Sequence, residues 1–135
     1  APFANNKAMG DVFGRYYSYE EALEVCPDGW QLPTEADWLE AAAAAGADFS
    51  MIDTGMKDGK STFEFMDAET LTKFTELNRS LGLGTALAGS LKFEDIPVLK
   101  QINPEIIGVR GMVCGGDRTT MVQEELVRKA IEMVH

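Results

Sequence analysis

The sequence has few of the residues from which metal sites and nucleophile pairs are usually built. It contains two cysteines, Cys26 and Cys114, and one histidine, His135, at the chain end. Two thiols and one imidazole are too few for a closed zinc site, and they offer no convincing Cys–His or Ser–His catalytic pair. We therefore expect no metal. Because the thiols are far apart and belong to no cysteine framework, we expect both to be free.

Positive charge and long apolar runs are also scarce. The chain has 12 lysines and arginines against 22 aspartates and glutamates, which gives a formal net charge of −10. Nucleic acid and anionic lipid bind to basic surfaces, so we expect neither as a partner. No apolar run approaches the roughly 20 residues that a membrane-spanning helix needs.

The composition is that of a folded α/β protein. Of the 135 residues, 45% are hydrophobic and 25% are charged, which lies inside the globular range. The sequence changes character near the alanine run at residues 41–45. Both tryptophans and all three tyrosines precede this run, whereas short apolar runs alternate with amphipathic stretches after it. We therefore divide the chain into an N-terminal segment, 1–44, and a second domain, 45–135.

The N-terminal segment carries two helix signals. Ser18 followed by Glu21 forms a capping box, which predicts a short helix up to Cys26. Thr34 is the predicted cap of a second helix. Trp30 and Trp38 have the residue type that stacks on sugars, but packing in the core is the favoured interpretation.

The second domain repeats one pattern three times. Short apolar runs predict buried strands, and each is followed by a stretch that predicts a helix. The predicted strands are 49–53, 85–89 and 106–110, and the predicted helices are 68–81, 94–102 and 121–134. Continuous apolar strands that alternate with helices are typical of a parallel sheet. The expected fold is a partial TIM-barrel-like sheet of about three βα units, preceded by a small helical, aromatic-rich segment.

The first candidate site residues follow the first predicted strand. In parallel α/β sheets, ligands bind at the carboxyl ends of the strands. Asp53 ends the first strand and Lys57 follows four residues later. A lysine of lowered pKa forms Schiff bases or moves protons, and a carboxylate accepts protons. A plain surface ion pair is the alternative interpretation.

The other two strand ends carry glycines and a cation. Gly89 and Ser90 follow the second strand, and Arg110 ends the third, where a buried charge requires a partner or an anion. Gly115 and Gly116 then form either an anion-binding nest or an ordinary turn. Such loops suit a small phosphorylated or carbonyl substrate.

Residues 45–135 resemble one enzyme family closely. The stretches AGADFSMIDTGMKDGK at 45–60, TALAGSLK at 85–92 and IIGVRGMVCGGDR at 106–118 resemble the C-terminal part of (5-formylfuran-3-yl)methyl phosphate synthase, a TIM-barrel lyase of methanofuran biosynthesis. Order, spacing and position at the predicted strand ends all agree. The resemblance covers about two-thirds of the chain.

This resemblance implies a reaction and roles for residues. The family condenses two molecules of glyceraldehyde 3-phosphate into a phosphorylated furan aldehyde, with loss of water and one phosphate and without an organic cofactor. Asp53 and Lys57 match its acid/base pair, and the glycine loops would hold phosphate. The family's Schiff-base lysine on the first strand has no counterpart here, so the resemblance implies an incomplete active site. It also implies a cytoplasmic protein.

Residues 5–38 resemble a different family. The stretches NNKAMG, GRYYSYEEA and CPDGWQLPTEADW are similar to the Fibrobacter succinogenes major paralogous domain, which is found in secreted or surface proteins. This resemblance implies, as an alternative function, a non-catalytic binding module at the cell surface.

The expected three-stranded sheet leaves one apolar face and two edges uncovered. We expect either the N-terminal aromatic residues or a second copy of the chain to cover that face, the latter as a homo-oligomer.

Overall fold

A computed structural model describes residues 17–55 and 58–135. The chain divides into two compact units, Ala1–Glu35 and Ala36–His135. Lys57, a predicted site residue, lies outside the described residues, and so do the aromatic residues before Tyr17.

The described part of the first unit contains one short helix, α1, at Tyr19–Glu24. Ser18 Oγ accepts a hydrogen bond from the Glu21 N–H at 3.2 Å, and the Glu21 carboxylate accepts one from the Ser18 N–H at 2.8 Å. The bond from the Ser18 N–H to the carboxylate is the main cause that holds the pKa of Glu21 below its ordinary value. The predicted capping box is therefore confirmed.

The tryptophans differ from the expectation. Trp30 in the first unit and Trp38 in the second are 77% and 65% exposed, so neither packs in a core. The six-residue helix α1 buries none of its own side chains. Trp38 lies on helix α2, Glu35–Ala44, whose buried residue is Leu39. A helix buries one stripe of its surface, and Leu39 rather than its neighbour Trp38 lies on that stripe.

The second unit is built on a three-stranded parallel sheet with the strand order β1-β2-β3. The strands are β1 (Phe49–Ile52), β2 (Gly84–Leu87) and β3 (Ile106–Ile107). Ile52 pairs with Leu87, and Leu87 with Ile107, so the three strands end side by side. The predicted α/β fold with three parallel βα units is confirmed.

A helix follows each strand, and three 3₁₀ turns lie in the connecting loops. The helices are α3 (Ala68–Ser80), α4 (Ile96–Ile102) and α5 (Glu124–Val134). The 3₁₀ turns are Thr62–Glu64, Phe93–Asp95 and Gly111–Cys114. Asp67 Oδ1 caps α3 by accepting from the Thr70 N–H at 2.8 Å, which lowers the pKa of Asp67.

Two apolar clusters form the core of the second unit. The larger joins α2, α3 and α4 to the sheet, and the smaller joins α4 and α5 to the turn at Gly111–Cys114. The larger includes Leu39, Leu71, Phe74, Leu87, Leu99 and Ile102. The smaller includes Ile96, Met112, Val113, Cys114 and Ala130. Cys26 and Cys114 are both free thiols, as expected.

A buried amide joins α3 to the sheet. Asn78 is fully buried. Its Oδ1 accepts a hydrogen bond from Ser50 Oγ at 2.8 Å, and its Nδ2 donates to Thr85 Oγ1 at 2.9 Å. These bonds place α3 across β1 and β2 and satisfy polar groups that would otherwise be unfavourable in the core.

The opposite face of the sheet is open. Phe49 and Met51 alternate with the half-buried Ser50 and Ile52 along β1, and they are 49% and 59% exposed. Ile106 on β3 is 44% exposed. Three apolar side chains of this face are therefore exposed in the part of the chain that the structure describes. Whether N-terminal aromatic residues or a second chain cover it stays a prediction.

No helix in the described part of the chain is long and apolar enough to span a membrane.

Candidate functional site

The candidate site lies where the three strands end. Asp53 directly follows β1, Gly89 and Ser90 come shortly after β2, and Arg110 comes shortly after β3. Because the strands are parallel, these loops meet at one edge of the sheet. They surround a cavity of about 1000 Å³. The cavity is lined by the predicted site residues Asp53, Gly89, Ser90, Arg110, Gly115 and Gly116.

The turn after β2 has a conformation that requires glycine. Gly89 has a φ of +107°, and Ser90 follows with a φ of +50°. A Cβ atom on Gly89 would lie 2.8 Å from the backbone nitrogen of Thr54 and would also collide with Thr62 Oγ1. The loop after β1 therefore packs directly behind this turn, and only a residue without a side chain fits there.

Thr62 holds this turn from behind. Its backbone N–H donates to the Gly89 carbonyl at 2.9 Å. Its hydroxyl lies 2.5 Å from the Ala88 carbonyl and 3.3 Å from the Gly89 carbonyl. The residue is only 2% exposed, so these bonds are shielded from water. Thr62 was not among the residues predicted from the sequence, although the capping pattern of Ser61 and Glu64 marks an ordered turn there.

A shared carboxylate oxygen links the same two loops a second time. Asp95 Oδ2 accepts hydrogen bonds from Ser61 Oγ at 3.0 Å and from the Lys92 N–H at 2.8 Å. Glu64 Oε1 accepts from the Ser61 N–H at 3.0 Å and lies 3.8 Å from Lys92 Nζ. The loops after β1 and β2 thus form one hydrogen-bonded assembly at the edge of the cavity.

The loop after β3 differs from the expectation in two ways. Strand β3 ends at Ile107, after which the Gly108 N–H donates to the Leu87 carbonyl at 2.8 Å and the chain bends at Arg110. Arg110 is therefore exposed rather than buried. Its Nε donates to the Arg118 carbonyl at 2.9 Å, which holds its guanidinium group beside the cavity.

The two glycines of this loop have left-handed conformations, with φ of +72° at Gly115 and +95° at Gly116. Both of their N–H groups donate to the Gly111 carbonyl. An anion here would therefore be bound by side chains rather than by these amides. Thr119 donates to Asp117 Oδ1 from its hydroxyl and its backbone N–H, which lowers the pKa of Asp117.

Positive charge is concentrated around the cavity although the chain is acidic. Among the described residues, four basic and three acidic side chains line it. The basic ones are Lys92, Arg110, Arg118 and Lys129, and the acidic ones are Asp53, Glu94 and Asp117. Lys129 Nζ lies 4.3 Å from the centre of the Phe93 ring, which holds the amine over the cavity wall. This contact was not predicted, because Lys129 belongs to the last helix and Phe93 lies 36 residues before it.

The described residues contain no group of three or more histidine, cysteine, aspartate or glutamate side chains that could hold a metal ion.

Comparison with known proteins identifies the family of the chain. A family model described as 4-HFC-P synthase matches residues 29–131. The chain belongs to this family. A (5-formylfuran-3-yl)methyl phosphate synthase of Methanosarcina barkeri is 68% identical over 90 residues, which cover 67% of this chain and 38% of the relative. The enzyme of the same name from Archaeoglobus fulgidus is 48% identical over 132 residues, which cover 98% of this chain and 52% of the relative.

The synthase family match extends into the N-terminal segment. The family model begins at residue 29, and the alignment with the Archaeoglobus relative covers nearly the whole chain. The resemblance of residues 45–135 to the synthase is therefore confirmed, and the alternative of a surface-binding module is not favoured. The resemblance of residues 5–38 to the Fibrobacter domain stays a prediction. The chain spans between 38% and 52% of the length of these two relatives.

Proposed function

We propose that this chain forms the substrate-binding edge of a (5-formylfuran-3-yl)methyl phosphate synthase of methanofuran biosynthesis. The substrate would be glyceraldehyde 3-phosphate, two molecules of which condense with loss of water and one phosphate. One observation carries the proposal: in a chain of this family, the ends of three parallel strands bring Asp53, Ser90 and Arg110 around one cavity. Such a cavity fits a small phosphorylated aldehyde.

The substrate phosphate would lie between the turn after β2 and the arginines of the loop after β3. Ser90 supplies a hydroxyl and a backbone N–H, and Arg110 and Arg118 supply charge. Guanidinium groups bind phosphate through charge-assisted hydrogen bonds. Gly115 and Gly116 would contribute by leaving room for the anion, since their amides already donate to Gly111.

The aldehyde would lie nearer the end of β1. There the Asp53 carboxylate would accept the proton from the carbon next to the carbonyl group. Lys57 would either form an imine with the aldehyde or exchange protons with it. This chemistry needs no organic cofactor, and it assigns the protein to the cytoplasm, where triose phosphates are found.

The proposed reaction is tested by treating the chain with glyceraldehyde 3-phosphate in two assays. Borohydride reduction followed by mass spectrometry detects an imine at Lys57. Exchange of the substrate C2 proton in D₂O, followed by NMR, detects proton transfer. Lys57→Met should abolish whichever signal the native chain gives. Lys60→Met is the matched control, because Lys60 lies in the same loop and pairs at the surface with Asp58 at 3.8 Å.

An adduct at Lys57 would establish the imine, and an exchange rate lost in Lys57→Met but kept in Lys60→Met would establish proton transfer. A native chain that gives neither signal, or two variants that behave alike, would refute the assigned role of Lys57.

A second copy of the chain is the proposed cover of the open sheet face. Burial of Phe49, Met51 and Ile106 removes apolar surface from water, which favours association. Met51→Glu should then lower the molar mass measured by light scattering at a fixed concentration. Glu76→Gln, on the exposed side of α3, is the control. A native chain that stays monomeric at high concentration would exclude this partner.

A further inference from the structure

We propose that Thr62 is a positioning residue for the turn at Gly89 and Ser90, a role that rests on the function proposed above. Thr62 itself does not line the cavity, whereas both turn residues do. It acts through the backbone: its N–H and hydroxyl donate to the carbonyls of Ala88 and Gly89.

The planarity of the peptide bond transmits this effect. In a trans peptide, the N–H of one residue points away from the carbonyl of the residue before it. Thr62 holds the carbonyls of Ala88 and Gly89 on its own side. The N–H groups of Gly89 and Ser90 must therefore point away from Thr62. Successive backbone N–H groups in a turn of left-handed conformation bind anions.

The turn also needs support from its surroundings. Ser90 has a left-handed φ of +50°, which is unfavourable for a residue with a side chain unless neighbouring contacts hold it. Thr62 is only 2% exposed, and its hydroxyl contacts the carbonyls of Ala88 and Gly89, the two residues before Ser90. The bond of Ser61 to Asp95 keeps the segment that carries Thr62 in place. The geometry therefore gives Thr62 control over the direction of the Ser90 amide.

A buried threonine also stabilises a fold without any link to a ligand, so the experiment needs a matched control. Thr75 is fully buried, and its hydroxyl donates to the Leu71 carbonyl within α3 at 2.9 Å. Thr62→Val and Thr75→Val each replace a buried hydroxyl by a methyl group of similar size. Thr62→Ser keeps the hydroxyl.

The test is an NMR titration of the full chain with inorganic phosphate, which follows the backbone amide signals. Thr62→Val should shift the Gly89 and Ser90 signals before phosphate is added and weaken phosphate binding about tenfold. Thr62→Ser should bind within about twofold of the native chain. Thr75→Val should lower the unfolding midpoint but leave phosphate binding unchanged. Should Thr62→Val fail to fold, Thr62→Ala takes its place.

Unmoved Gly89 and Ser90 signals together with native phosphate affinity in Thr62→Val would overturn the inference. Equal weakening in Thr75→Val would overturn it too, because the loss would then be general. If the native chain binds no phosphate, the proposed function fails, and the two amide signals in Thr62→Val alone decide whether Thr62 positions the turn.

Discussion

The packing behind the turn after β2 allows a sharp prediction for Gly89→Ala. The φ of +107° at Gly89 disfavours any side chain, and a Cβ atom there would meet the Thr54 nitrogen at 2.8 Å and also Thr62 Oγ1. Gly116 is the matched control: its φ is +95°, but a Cβ atom there would have no neighbour within 4 Å. The two alanine variants therefore share the backbone strain. They differ in whether the new Cβ atom overlaps neighbouring atoms.

The expected energies follow from these two contributions. Backbone strain of this kind costs about 1–3 kcal/mol, and forcing extra atoms into a packed site costs about 1–3 kcal/mol more. Gly116→Ala should therefore lower the free energy of unfolding by the backbone strain alone, about 1–3 kcal/mol. Gly89→Ala should lower it by roughly 2–6 kcal/mol, the sum of both.

Urea unfolding followed by far-UV circular dichroism measures both variants against the native chain. A difference of at least about 1 kcal/mol between them, with Gly89→Ala the less stable, is the expected result. Equal losses, or a larger loss in Gly116→Ala, would refute the claim that the loop after β1 packs against the turn.

Three further changes test other parts of the second unit. Asn78→Leu leaves the buried Thr85 hydroxyl and the half-buried Ser50 hydroxyl without their partner, and urea unfolding should show a loss of about 2 kcal/mol; an unchanged midpoint would contradict this. The Thr85 N–H holds the pKa of Glu105 below its ordinary value of 4.5, so native stability should fall as the pH drops below about 4.5 and through that lowered pKa. Glu105→Gln should weaken this dependence in acid titrations, and identical curves would contradict it. Arg110→Gln should weaken phosphate binding, measured by calorimetry, about tenfold. Arg128→Gln should leave phosphate binding unchanged, because Arg128 pairs with Glu124 on its own helix, α5.

Local signals in the sequence were sufficient for most of the fold. Asp67 and Ser18 each cap a helix with a bond to a residue three positions on, so their effect is readable within one turn of sequence. The apolar runs gave all three strands and their parallel arrangement. Since parallel strands end at a common edge, the meeting of Asp53, Ser90 and Arg110 followed from that arrangement.

Features that depend on distant partners were not readable in this way. Thr62 contacts Ala88 and Gly89, 26 and 27 residues further along the chain. Lys129 reaches Phe93 from the last helix. Trp38 was expected in the core, but its burial depends on which stripe of α2 faces the sheet. The early end of β3 at Ile107 is another feature that periodicity does not reveal.

Glu105 lies at the other end of the sheet, where the strands begin. Its carboxylate accepts from the Thr85 N–H at 2.7 Å and from Arg79 at 3.1 Å, while Arg79 also donates to the Asn103 carbonyl. One acidic side chain therefore ties the last turn of α3 to the starts of two strands. The proposed ligand site and this contact lie at opposite ends of the sheet, so a substitution at Glu105 can change stability while the residues around the cavity stay as they are.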